Sequence, residues 1–164
     1  MMEKQCVFCQ IVEKKIHARV VYEDENFMAF LDIRPLNPGH TLLIPKKHYR
    51  WVYDVPNFEQ MWGIVKKVTL GIISALNPIS VSYATLGFEV EHAHIWIIPR
   101  FKDDGHEGII NWLAVKNISP EEMDEIARKI KDNIPKEEKM EEGVEEKEKS
   151  EEEIWLIKRS LEIT

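Results

Sequence analysis

Two rhythms of apolar residues run along the chain. Over residues 57–76, Phe58, Met61, Trp62, Ile64, Val65, Val68, Ile72 and Ile73 fall three or four positions apart with no internal proline. This spacing predicts one long helix, ended by Asn77-Pro78. Elsewhere the apolar residues come in short runs bounded by turn formers. Residues 18–23 and 27–32 read as a hairpin around Asp24-Glu25-Asn26, residues 40–45 as a third strand that Pro45 stops, and residues 79–86 as a fourth. Between the second and third strands, Arg34-Pro35-Leu36-Asn37-Pro38-Gly39 forbids regular structure. Residues 90–98 alternate as a fifth strand, with His92, His94 and Trp96 on one face and Ala93, Ile95 and Ile97 on the other. Short helices are expected over residues 7–12 and from the capping box Ser119-Pro120-Glu121-Glu122 to about residue 133. Strands outnumber helices and are joined as hairpins, with helices over one face. The fold class is therefore α+β with an antiparallel sheet.

Composition sharpens this picture after residue 119. A chain of 164 residues supports one domain with a real core. Nearly all of its net charge of −7 falls in the last third, leaving residues 1–118 close to neutral. This divides the chain into a folded domain over 1–118 and an acidic, largely helical extension over 119–164. Residues 135–153 are Glu/Lys-rich and read as a solvated helix or linker. Ile154, Trp155, Ile157 and Leu161 then restore apolar spacing for a terminal helix over 152–163. The chain has no long basic stripe, which argues against general nucleic-acid binding. Its apolar runs fall far short of the roughly 18 residues a membrane span needs. Two cysteines cannot build a disulfide framework and the start lacks a signal-like pattern, so a cytoplasmic location is expected.

The chemistry concentrates in the histidines. Two imidazoles on one strand face pack poorly, because each brings polar nitrogens that need partners when buried. They suit metal ligation, proton transfer or nucleophilic attack on phosphorus. Cys6-Val7-Phe8-Cys9 has the spacing of a metal knuckle, and two thiolates need two further ligands from among His17, His40, His48, His92, His94 and His106 to close a tetrahedral zinc site. A redox dithiol and simple apolar packing of the thiols are the competing readings.

Cys6-Val7-Phe8-Cys9-x-Ile11-Val12, Val21-Tyr22-Glu23-Asp24, the run Phe30-Leu31-Asp32-Ile33 to Pro45-Lys46-Lys47-His48, and Gly87-x-Glu89-Val90-x-His92-x-His94-Ile95-x-Ile97-Ile98-Pro99-Arg100 together resemble the histidine triad (HIT) family, in order, from residue 6 to about 105. The resemblance implies a five-stranded antiparallel sheet with a long helix, usually paired into a homodimer. It implies hydrolysis or transfer at the α-phosphate of a purine nucleotide or dinucleotide polyphosphate through a nucleotidyl-histidine. By the same matching, His94 is the nucleophile, with His40 near it. Asp32 takes the ribose hydroxyls, while Phe8, Phe30 and Ile33, with Glu89 at the edge, line the nucleotide pocket. In zinc-containing relatives the matching ligands are Cys6, Cys9, His48 and His92, a structural site with no open position.

The chain also departs from the family pattern. Trp96 stands where the third triad histidine would be, and an indole has one N–H and no basic nitrogen. Val81-Ser82-Tyr83 and Phe88 replace an Asn-x-Gly and a glutamine expected against the phosphate. Glu89 and Glu91 add negative charge where an anion should arrive. Two functions follow as expectations: an α-phosphate hydrolase or nucleotidyltransferase, or a catalytically silent nucleotide- or protein-binding module on the same fold.

Overall fold

The computed structural model describes residues 6–106 and 108–136. In chain order these form helix α1 (Val7–Val12), strands β1 (Val20–Glu23), β2 (Phe27–Leu31) and β3 (Thr41–Pro45), helix α2 (Phe58–Leu76), strands β4 (Ser80–Ala84) and β5 (Ile95–Arg100), and helix α3 (Pro120–Asn133), with a single 3-10 turn at Val52–Asp54. The strands make one antiparallel sheet in the order β1-β2-β3-β5-β4. The expected α+β class, five strands and long helix are all present. The Glu/Lys-rich stretch from residue 137 and the terminal helix expected over 152–163 lie outside the described residues.

The sheet is buried on both sides. Ala29, Leu31, Leu43, Ile95 and Ile97 pack with Met61, Val65, Val68 and Ile72 of α2 and with Met123 and Ile130 of α3. Met28, Phe30, Leu42 and Ile44 point the other way and pack against Phe8 and Ile11 of α1. The expectation that helices cover one face is therefore corrected: α1 covers the opposite one. The unbroken apolar runs of β2 and β3 are the physical reason, since a strand with alternate faces both covered has no polar side. Helix α3 starts as its sequence requires, with Ser119 Oγ accepting from the Glu122 N–H at 3.2 Å. It approaches α2 so closely at Gly71 that a Cβ there would lie 2.6 Å from Ile134 Cγ1.

The histidine segment starts its strand later than its alternation suggests. β5 begins at Ile95, so His92 and His94 lie on the approach to the strand rather than within it. The register pairs Leu43 with Ile95, which would bring Pro45 opposite residue 93. Proline has no N–H to continue the ladder there. Ala93 donates instead to the Tyr49 carbonyl at 2.7 Å, and His92 N–H to the Val90 carbonyl at 2.9 Å. The alternation of faces survives without the ladder: Ala93 is in the α2 core, while His92 and His94 both meet the ring of Phe8.

Candidate functional site

Helix α1 puts Cys6 and Cys9 three residues apart, on one side of its first turn. His48 follows β3 and His92 precedes β5, and the sheet brings both to that turn. The ligand atoms of Cys6, Cys9, His48 and His92 all lie within 4.8 Å of one another. Cys6 Sγ is 3.3 Å from His92 Nδ1, and Cys9 Sγ is 3.3 Å from His48 Nδ1 and 3.5 Å from His92 Nδ1. Bond lengths of about 2.3 Å to sulfur and 2.0–2.1 Å to nitrogen put the sulfur–nitrogen edges of a tetrahedral zinc site at about 3.5 Å, so this donor set fits a zinc ion. His92 settles the matter of tautomer, because its Nε2–H donates to the Pro45 carbonyl at 2.8 Å and leaves the Nδ1 lone pair facing the thiols. Burial above all pushes His92 down to about 4 and Cys9 up to about 11, the Cys9 shift reinforced by its neighbour Cys6. Two thiols and two imidazoles packed together in this way make a group that can hold a metal ion. His17 and His106 do not join the group among the described residues, and a redox pairing leaves His48 and His92 without a purpose.

His94 is the next residue to face this side. It is buried and donates its Nδ1–H to the His92 carbonyl at 2.7 Å. A carbonyl can only accept, so the lone pair is on Nε2. Burial holds the imidazole below its usual range, against the opposing pull of the His92 carbonyl and of Asp32. His94 lines a cavity of about 520 Å³, a size typical of small-molecule sites. Phe8, Phe30, Asp32, Ile33 and Glu89 line the same cavity, so every residue expected to contact a nucleotide borders it. Ile33 is 81% exposed and sits at the mouth.

Other expected neighbours are placed differently. His40 is fully buried behind the wall, its ring 4.8 Å edge-on from that of Trp96 and its Nδ1 3.9 Å from Asp32 Oδ2. Tyr83, expected against the phosphate, points to the helix side of the sheet, where its hydroxyl meets Thr69 Oγ1 at 3.0 Å. Phe88 stands at the rim, its loop held by an Arg50 guanidinium hydrogen bond to the Gly87 carbonyl. Gly87 has φ +70°, and a Cβ there would lie 2.9 Å from the Trp51 ring, so no larger residue fits this turn. Sequence reasoning missed Trp112 and Val115, which line the cavity from the segment after β5; Trp112 packs 5.6 Å from Trp96. Their signal was the apolar run Ile109-Ile110-Asn111-Trp112-Leu113-Ala114-Val115, which follows neither a strand nor a helix period and is too weak to place. Also missed was the buried cluster of Asn37, Arg100 and Asp104. There Asp104 accepts from Arg100 Nε at 2.7 Å and from Asn37 Nδ2 at 2.9 Å, and its carboxyl is held well below the usual range, chiefly by the Arg100 guanidinium.

The family model of the HIT domain matches residues 13–103. The chain belongs to the HIT family. An uncharacterised HIT-like protein of Methanocaldococcus jannaschii is 39% identical over 133 residues, spanning 77% of this chain and 98% of the relative. A zinc-bound histidine triad protein of Mycobacterium smegmatis superposes with a TM-score of 0.66 at 28% identity, over 79% of this chain and 93% of that one. More distant HIT proteins carry named activities. The adenosine 5'-monophosphoramidase of Saccharomyces cerevisiae is 29% identical over 116 residues, covering 69% of this chain and 73% of the relative. An adenylylsulfatase of Arabidopsis thaliana is 33% identical over 110 residues, covering 63% of this chain and 56% of the relative.

Proposed function

We propose that this HIT protein hydrolyses, or transfers from, the α-phosphate of a purine nucleotide or dinucleotide polyphosphate, with His94 as nucleophile. The observation that carries the reading is the 2.7 Å hydrogen bond from His94 Nδ1–H to the His92 carbonyl. It commits the ring to one tautomer and leaves a neutral Nε2 on the wall of a nucleotide-sized cavity. The Nε2 lone pair forms a bond to the α-phosphorus, and the bond from phosphorus to the leaving group breaks with its electron pair. Charge gained by the imidazole is stabilised by the carbonyl already on Nδ1. Water then attacks the same phosphorus, the phosphorus–nitrogen bond breaks, and the water's proton leaves with solvent or a nearby base. Asp32, at the end of β2, accepts the ribose hydroxyls, and Phe8, Phe30 and Ile33 bracket the base. The named activities of the yeast and plant relatives support this chemistry.

In the same reading Cys6, Cys9, His48 and His92 hold structural zinc, which ties the start of α1 to the segment that carries His94. Four protein ligands leave no position for substrate. A homodimer forms along the edge strand β4 and the outer face of α2, where Phe58, Trp62, Leu70, Ile73 and Tyr83 are exposed.

A second reading, a binding module without turnover, is favoured by Trp96, which takes the third triad position. Its Nε1 is buried without a hydrogen-bond partner among the described residues, and a donor lost from the reacting phosphate typically costs on the order of 10² to 10³ in rate. The deciding experiment incubates wild type and His94→Ala with radiolabelled adenosine phosphoramidate, ATP and diadenosine polyphosphate. Acid-labile label and released AMP in wild type alone establish the enzyme. Nucleotide binding without label or turnover establishes the module.

A further inference from the structure

His40 has two groups competing for one nitrogen. The Leu36 N–H reaches its Nδ1 at 3.3 Å and requires a lone pair there, while Asp32 Oδ2 lies 3.9 Å from the same atom and favours a proton on it. Burial pushes His40 down to about 4, so the ring is neutral near pH 7 and the position of its single proton is the open variable. With Leu36 in place the proton sits on Nε2. That atom has no hydrogen-bond partner among the described residues.

His106 holds the carbonyl of Leu36. Its Nδ1 accepts from the Asn111 N–H at 3.2 Å, which puts its own proton on Nε2, and Nε2–H donates to the Leu36 carbonyl at 3.1 Å. Its backbone N–H is held by Asp104 Oδ1 at 3.0 Å. The Lys116 N–H donates to the Pro35 carbonyl at 2.7 Å, on the peptide group whose N–H reaches His40. The loop 34–39 contains two prolines and a glycine and has no ladder of its own; these contacts from residues 104–116 hold it at Pro35 and Leu36, and Asn37 fixes its far side on the Pro99 carbonyl. His106 itself is 2% exposed with both ring nitrogens used, and lies outside the matched HIT domain.

We propose that His106 is a positioning residue that sets the tautomer of His40, keeping the Leu36 N–H on His40 Nδ1 and so keeping a proton on Nε2 beside Trp96. In the proposed reaction the tautomer acts on the site through Trp96, which packs against His40 and lines the cavity with His94, and this catalytic consequence rests on the function proposed above. Without His106, Leu36 relaxes, Asp32 captures the proton on Nδ1, and Nε2 turns from donor to acceptor beside Trp96.

The test is long-range nitrogen–proton correlation on the full-length protein labelled at histidine nitrogen, with His40 assigned by His40→Asn. Wild type and His106→Gln, whose amide can both donate and accept, are expected to show His40 protonated on Nε2. His106→Leu is expected to populate the Nδ1–H form and, in turnover of adenosine phosphoramidate, to lower kcat by about 10²-fold with little change in KM. Should His106→Leu not fold, His106→Asn, too short to reach Leu36, is judged by the same readings. A folded variant in which His40 stays wholly protonated on Nε2 overturns the proposal, whatever its turnover. If wild type turns over no nucleotide, the enzyme reading fails while the tautomer measurement still decides the role of His106.

Discussion

A backbone carbonyl two residues upstream does for His94 what a carboxylate does in many catalytic histidines: it fixes the tautomer without adding charge. Because the residue whose carbonyl it uses, His92, is one of the four side chains of the candidate metal group, the proposed nucleophile and that group share a backbone. His94→Ala is expected to abolish nucleotidylation and lower turnover at least about 10³-fold, with nucleotide affinity by titration changed by no more than a few-fold. Retained label in that variant would move the nucleophile elsewhere. At this scale the sequence was informative where chemistry is carried by residue type and spacing. The pair Cys6 and Cys9 demanded partners, and the structure brings in His48 and His92. The reading of Tyr83 as a phosphate-facing residue was less successful. One position in β4 decides which face a side chain takes, and the strand's exposure pattern does not reveal that choice.

At the scale of elements, the cluster around Asp104 joins the end of β5 to the loop before β3. Asn37 bonds the Pro99 carbonyl at 2.9 Å as well as Asp104, and Lys116 Nζ bonds the Asp104 carbonyl at 2.7 Å. Asp104→Asn removes the carboxylate that the Arg100 guanidinium, Asn37 and two backbone N–H groups share, and is expected to cost about 1–3 kcal/mol in denaturant unfolding at pH 7. Its pH dependence has a definite sign. The carboxyl is depressed in the folded state, so its contribution is complete above the unfolded value of about 3.9 and is lost as pH falls below it. The gap in stability between wild type and Asp104→Asn should therefore close progressively below about pH 4; a gap that is constant down to pH 2 would show that the ion pair is not its source. None of this network was visible beforehand, since an Asp-Gly in a polar loop reads as a turn. By contrast α2, α3 and the hairpins were legible almost to the residue, because caps, prolines and helical spacing act locally. The late start of β5 was not, because it depends on Pro45, which lies across the sheet.

For the whole molecule, the proposed zinc and the proposed dimer are the two levers. Chelation should lower the Tm by about 10 °C relative to protein in zinc at a thousandfold excess over Kd. Cys9→Ser should melt near the chelated value and respond little to further chelator; a full response in that variant would remove Cys9 from the site. Trp62→Glu on α2 should convert a dimer to a monomer in light scattering coupled to gel filtration, while leaving the α1 face of the sheet intact. No helix among the described residues is long and apolar enough to cross a membrane. The ligand set has one more consequence, which concerns biosynthesis. Cys9 and His92 are 83 residues apart in the chain. At roughly 5–20 residues per second, a ribosome that has made the cysteines needs about 4 to 17 seconds more to deliver the last ligand. Throughout that interval the nascent thiols have no complete cage. The peptide that closes the proposed cage is also the one that carries His94, so a new copy that takes up zinc does so no earlier than it acquires the proposed nucleophile.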